Sequence, residues 1–260
     1  MASAGFNTPI GLPFTELTEV DSTNIYAMNQ VKTNMAGHGA AFLAQNQWAG
    51  KGQMGKVWEA KFGENILLSV VLDPKRLQLS NSEPDQFSVS MLVALASFNF
   101  FKKYAGDETS IKWPNDIYWR DRKAAGILIE NSFRGSSWQW SIVGMGVNIN
   151  QTEFGSILSN AVSLKQITGK TLHVATLAQE LCSFIETAWT TLTTEGPSVL
   201  LAQYNQALYK KNESVTLVLQ EKMIVVTICG VLSNGYLQIQ HLDGNKESVA
   251  LGTVKWIQHK

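Results

Sequence analysis

The chain has 260 residues, enough for one large domain or one domain with a small appendage, and its 21 basic residues balance 21 acidic ones. No overall field therefore draws it to nucleic acid or to an anionic membrane, and any cationic site has to be local. Cys182 and Cys229 lack metal-ligand or disulfide spacing, and neither a signal peptide nor a membrane-spanning apolar run is visible, which points to a soluble protein of a reducing cytoplasm.

Asp21-Ser22-Thr23-Asn24 is a string of helix-capping residues, followed by Ile25, Met28 and Val31 at helical spacing, so a first helix is predicted to begin near Ser22. Ala40 to Gln45 is a short apolar run and Asn65 to Leu72 is rich in branched aliphatics, which places a glycine-rich loop between two strands. Phe87, Met91, Leu95, Phe98 and Phe101 mark a buried helix face. From Ser110 to Ile149 short strands alternate with turns and read as an antiparallel meander. Leu177 to Leu192 forms another helical stripe ended by Gly196, and Pro197 opens a short helix reaching Tyr209. From Asn212 to Lys260, alternating segments with turns at Asn234-Gly235 and Asp243-Gly244 predict a small β-barrel or sandwich, dividing the chain into units 1–211 and 212–260.

The glycine loop, AGKGQMGKVW from Ala49 to Trp58, spells G-x-G-x-x-G with Gly50, Gly52 and Gly55. A dinucleotide fingerprint needs those glycines to open a helix, yet KVWEAKFGEN has no helical stripe and runs into the next strand. With Val57 the loop also fits the kinase pattern, but no H-R-D or D-F-G motif follows. Two readings stay open: a phosphate-binding loop of another type, with Lys51 and Lys56 beside exposed amides, or a plain hairpin with solvated lysines. A second cluster, IKWPNDIYWRDRKAAGILIE, puts Lys112 on one strand, Asn115 and Asp116 at a turn after Pro114, and Lys123 on the returning strand ahead of Gly126. Lysines from neighbouring strands can converge on a phosphoryl group, where fixed cations stabilise developing charge. An edge-strand lysine and an ordinary turn are the plain alternatives.

Five stretches in order carry a resemblance: DSTN (21–24), QWAGKGQMGKVW (47–58), KWPND (112–116), DRKAAGILIE (121–130) and GMGVNIN (144–150). From Phe14 to the C-terminus the chain resembles the bacterial biotin protein ligases. That resemblance implies an α+β fold, a mixed β-sheet backed by helices with a small C-terminal β-barrel. It implies an enzyme that joins biotin to ATP, giving biotinyl-5′-AMP and pyrophosphate, then passes biotin to a lysine of a biotin carboxyl carrier domain. Ser22, Thr23, Asn24, Gln47, Gly50, Lys51, Gly52, Lys123 and Gly126 match biotin-binding positions; Lys51, Gly52, Gln53, Met54, Gly55, Trp58, Lys112, Asn115 and Asn148 match ATP-binding positions. Gly146 matches a small pocket-lining position. Lys123 is expected at the reacting carboxylate and phosphate, Lys51 and Lys112 at the phosphates, and Asp116 at Mg2+ or as the base for the acceptor lysine. Gln53 stands where some members carry arginine, which removes a charge from the loop. Only about a dozen residues precede the resemblance, so the repressor module of many members, and DNA as a partner, are not expected. Members occur as monomers and homodimers. A lipoate ligase or octanoyltransferase of the related fold is the nearest alternative, and a non-catalytic ligand-binding regulator the next. The central expectation is geometric: Lys51 and Lys123 should share one cavity.

Overall fold

The computed structural model describes residues 8–77, 85–155 and 160–257. Strand β1 (Phe14–Val20) runs parallel to β2 (Ala41–Gln47), the two joined by helix α1 (Thr23–Lys32). β3 (Ile66–Leu72) lies antiparallel to β2 and is buried along its whole length, as a run aliphatic at every position but Ser69 requires of a strand covered on both faces. The predicted meander is present as β4 (Thr109–Lys112), β5 (Asp116–Trp119), β6 (Arg122–Arg134) and β7 (Ser137–Val147). The resulting mixed sheet has the order β1-β2-β3-β7-β6-β5-β4. β1 had no sequence signature, because FTELTEV is only half-buried and mostly polar.

Period-two alternation divides the sheet into two faces. Ile66, Leu68, Val70 and Leu72 of β3 and Val143, Met145 and Val147 of β7 enter the main core, where helices α2 (Gln86–Ala105) and α4 (Val174–Glu195) pack on each other. The intervening residues face the other way, and α1 covers part of that face through Ala27 and Val31 against Phe42, Val71 and Ile142. Further along the same face the ladder register sets small residues side by side: Gly146 pairs Gly126, and Gly144 pairs both Ser69 and Leu128. Four neighbouring positions without bulk open a hollow in an otherwise filled sheet.

A short helix α3 (Leu164–Thr168), absent from the sequence reading, is set by a capping box between Ser163 and Gln166 and ended by Gly169 in the left-handed conformation, φ 73°. Helix α5 (Pro197–Gln206) stops short of the predicted Tyr209. The reason is tertiary: Ile111 N donates to Ala207 O and Tyr209 N to Ile111 O, each at 2.8 Å, so the chain leaves the helix to flank β4.

The C-terminal segment forms β8 (Ser214–Leu219), β9 (Lys222–Val231), β10 (Leu237–His241), β11 (Lys246–Val249) and β12 (Val254–Trp256), an antiparallel sheet of order β11-β10-β9-β8-β12. The predicted turns hold, with Gly235 and Gly244 at φ 84° and 87°. Leu217, Val226, Ile228, Leu237 and Ile239 join the main core, and Trp113 Nε1 donates to Gly235 O at 2.9 Å across the seam.

Candidate active site

The hollow over the small residues is a cavity of about 670 Å³. Its deep end is a hydrogen-bonded network built from α1, β2, β3 and β6. Gln47 Oε1 accepts from Thr23 N (2.7 Å) and Thr23 Oγ1 (3.1 Å). Ser69 Oγ lies within hydrogen-bonding reach of Thr23 Oγ1 (2.7 Å) and Asn24 Oδ1 (2.6 Å). Asn24 Nδ2 then donates to Glu130 Oε2 at 2.8 Å. Gly144 is required here, since a Cβ on it would lie 2.5 Å from Asn24 Oδ1. Ser22 lines the cavity and occupies the helix N-cap position, but its side chain makes no capping bond.

The glycine loop forms the cavity's rim as a small hairpin, with Trp58 N donating to Gly50 O (3.0 Å), Gly52 N to Lys56 O (2.6 Å) and Lys56 N to Gln53 O (3.1 Å). A Cβ on Gly50 would meet Trp58 O at 2.4 Å, so this glycine is fixed by the hairpin's own closeness rather than by exposure to a ligand. Lys51, Gly52, Gln53, Lys56 and Val57 line the cavity. Met54 and Gly55 do not: both are left-handed (φ 53° and 75°), and Met54 is 73% exposed at the tip. Trp58 lies across the hollow, close enough to Gly146 that a Cβ there would sit 2.2 Å from its ring. Its buried Nε1 has no hydrogen-bond partner among the described residues.

Lys123 reaches the same cavity from β6. The β5–β6 ladder shifts between Ile117 and Tyr118, so that Tyr118 faces Lys123 while Asp116 faces Gly126. This irregularity re-aims the lysine. Its Nζ forms an ion pair with Asp116 Oδ1 at 2.7 Å and stands 5.8 Å from the Trp58 ring centre. Lys51 and Lys123 therefore line one cavity, as the sequence reading required. Lys51 Nζ is 3.7 Å from Glu130 Oε1, which links the loop through Glu130 and Asn24 to the deep network.

Besides Gly50, Met54 and Gly55, which do not line the cavity, three more expected residues lie elsewhere or have other duties. Lys112 does not line this cavity; it enters an adjoining one of about 270 Å³, and burial pushes its ammonium down to about 8. Asn115, in the turn between β4 and β5, is buried and does not line the cavity, its Nδ2 donating to Ile127 O. Asn148 lines the cavity, but its Nδ2 is committed to Val162 O (3.2 Å) and, more weakly, Lys123 O (3.4 Å). Conversely, Ser69, Glu130 and Gly144 were not singled out. Their signals were a hydroxyl in an aliphatic strand, a carboxylate ending another, and a glycine one pleat from Gly146.

The arrangement offers three lysines, Lys51, Lys56 and Lys123, with Asp116 and Glu130 paired to two of them, at one end and neutral donors and acceptors at the other, which suits a ligand with a polar head and a negatively charged reacting end. Neither cysteine lines the cavity, and burial pushes the Cys182 thiol up to about 12, which removes it as a thiolate nucleophile. No group of three or more His, Cys, Asp or Glu among the described residues could hold a metal ion by itself.

The sequence signature described as the biotin/lipoate A/B protein ligase family matches residues 16–148. The chain belongs to that family. The matched region contains the deep network, the glycine loop, Asp116 and Lys123, whereas the C-terminal sheet lies beyond it. Relatives include the bifunctional ligase/repressor BirA of Escherichia coli, 27% identical over 86% of this chain and 68% of that protein. The biotin--[acetyl-CoA-carboxylase] ligase of Paracoccus denitrificans is 32% identical over 60% of this chain and 63% of its own length. In fold, the chain resembles the biotin protein ligase from Aquifex aeolicus in complex with biotin and ATP, with a TM-score of 0.77, 24% identity, and 94% and 98% of the two chains covered.

Proposed function

We propose that this member of the family is a biotin protein ligase that makes biotinyl-5′-AMP from biotin and ATP and transfers the biotinyl group to a lysine of a biotin carboxyl carrier domain. The observation that carries the reading is the meeting of Lys51 and Lys123 in a cavity whose other end is lined by the paired amides and hydroxyls of Thr23, Asn24 and Gln47. The name of the Paracoccus denitrificans relative, a biotin--[acetyl-CoA-carboxylase] ligase, supports biotin as the acid and a carboxylase as the acceptor. The buried network supplies neutral partners for a ureido ring, which is costly to bury unpaired. A carboxylate at the far end would then lie between the two lysines.

In the first step a biotin carboxylate oxygen bonds to the α-phosphorus of ATP, the bond from that phosphorus to the bridging oxygen breaks, and pyrophosphate leaves with the electron pair. The protein's part is to bring two anions together and offset their repulsion, with Lys123 at the reacting oxygens and Lys51 and the loop amides over the phosphate. Trp58, whose ring lies across the hollow against Gly146, would present its face to the ligand in the cavity. Lys112 supports the phosphates from the adjoining cavity. Mg2+ commonly binds through one or two carboxylates plus substrate phosphates, and a single carboxylate, Asp116, fits that manner of binding. When bound it would neutralise phosphate charge.

In the second step the acceptor amine attacks the biotinyl carbonyl carbon, the bond to the AMP oxygen breaks, and the amine proton passes to Asp116. An assay for pyrophosphate release dependent on both biotin and ATP, followed by mass spectrometry of a carrier domain, tests the reading. Release with lipoate in place of biotin would transfer the assignment to the lipoate branch, and no release with either acid would overturn it.

A further inference from the structure

Lys112 leaves β4 for the smaller cavity, at the seam between the two sheets, which shares Tyr118 and Asn160 with the larger one. Its side chain is buried, 8% exposed, and its Nζ lies over three aromatic rings: Tyr118 at 4.5 Å from the ring centre, Trp256 at 5.1 Å and Tyr209 at 5.7 Å. Nζ also donates to Tyr118 Oη at 3.2 Å. Among the described residues no ion pair includes Lys112. Asp116, opposite it in the β4–β5 ladder, is paired with Lys123, and Asp121 is held by Tyr209 Oη (2.6 Å) and Lys210 (3.4 Å).

This choice of partners has a chemical consequence. A carboxylate would hold the ammonium and cancel its charge, whereas aromatic faces hold it and leave the charge available to an anion. The three rings come from β5, from the segment after α5 and from the last strand of the C-terminal sheet. They also touch one another, Tyr118 to Tyr209 at 5.3 Å and Tyr209 to Trp256 at 5.8 Å between centres. Trp256 is set by pairing with Leu217 across β12 and β8. Its buried Nε1 has no partner among the described residues, so it is the face of the indole, not its N–H, that is used here.

We propose that Trp256 is a positioning residue for the ligase reaction: it closes an aromatic cage that fixes the Lys112 ammonium, unneutralised, beside the catalytic cavity, and so makes the C-terminal sheet part of the phosphate-handling apparatus. The proposal rests on the ligase reading. Its test uses Trp256→Leu, Trp256→Phe, Lys112→Met and the double variant Trp256→Leu/Lys112→Met in the full chain, with biotin-dependent pyrophosphate release as the readout. Trp256→Leu should lower kcat/KM for ATP roughly tenfold, with biotin affinity and melting temperature close to those of the parent. Trp256→Phe, which restores a ring face, should recover most of the loss. In the Lys112→Met background the leucine substitution should cost nothing further, because the partner through which Trp256 acts is gone. A parent-like Trp256→Leu variant overturns the proposal, as does a Phe variant no better than Leu or a loss that multiplies with that of Lys112→Met. A parent protein that releases no pyrophosphate from biotin and ATP overturns the ligase reading itself, and the proposal with it.

Discussion

The two ends of the larger cavity are built on opposite principles. At the deep end Thr23, Asn24, Gln47 and Ser69 satisfy one another in short hydrogen bonds, and three of them, Thr23, Asn24 and Ser69, are almost fully buried. At the rim, Lys51 and Lys56 project into solvent, with Gln53 half-buried between them, from a hairpin held by a few backbone bonds. Shape and neutral polarity are prepared in advance where a ligand has to be recognised, and charge is presented at the surface where charge has to be handled. Glu130 spans the two, touching Asn24 on one side and Lys51 on the other.

The contrast predicts that substitutions at the two ends change different quantities. The largest effect belongs to Lys123. Lys123→Ala should lower the rate of adenylate formation roughly 100- to 1,000-fold while leaving the circular dichroism spectrum nearly unchanged and weakening biotin binding far less than the rate, since most of the lost interaction serves developing charge. A variant that releases pyrophosphate at the parent rate would break the distinction between the ends.

Lys112, a charge that is buried rather than exposed, sharpens the contrast through stability. Burial, opposed by Asp116 and aided by Lys123, lowers it from 10.5 to about 8. Between those values the unfolded chain binds more protons than the folded one, so this residue's contribution to stability rises with pH through the window and is lost as pH falls through 8. Lys112→Met, which carries no charge, should be the more stable protein near pH 7, by on the order of 3 kcal/mol, with the gap closing toward pH 10. Urea titrations of the two proteins at several pH values measure it, and a gap constant with pH would show that the ammonium is not desolvated.

At the deep end, Ser69→Ala should weaken biotin binding by roughly tenfold and lower stability by about 1 to 3 kcal/mol, by stranding Thr23 and Asn24, with kcat for adenylate formation preserved at saturating biotin. Calorimetry and saturation kinetics separate the two terms. The smallest change is expected at the rim: Gln53→Arg adds a charged donor facing the cavity and should slow adenylate dissociation a few-fold, seen as longer retention of biotinyl-5′-AMP on a desalting column.

Much of this was legible in the residues themselves. Strong periodicity announced α2, α4, β3 and the β4–β7 meander, because long apolar patterns admit few alternatives, and the glycine and lysine motifs announced the loop and Lys123. β1 was silent because an edge strand with a half-wet face needs no apolar signature, and α5 overshot because helix propensity cannot know that Ile111 will claim the backbone of Ala207 and Tyr209. In the site, the sequence by itself determined which groups could carry charge. Only the tertiary structure decided which of them meet. Ladder register placed Gly126, Gly144, Gly146 and Ser69 together, a slipped residue in β6 turned Lys123 toward Asp116, and the arrival of Trp256 put Lys112 in a separate chamber. Those outcomes depend on contacts between segments up to 144 positions apart, as Lys112 and Trp256 are, and such contacts are set by packing and pairing across the whole chain rather than by any local pattern.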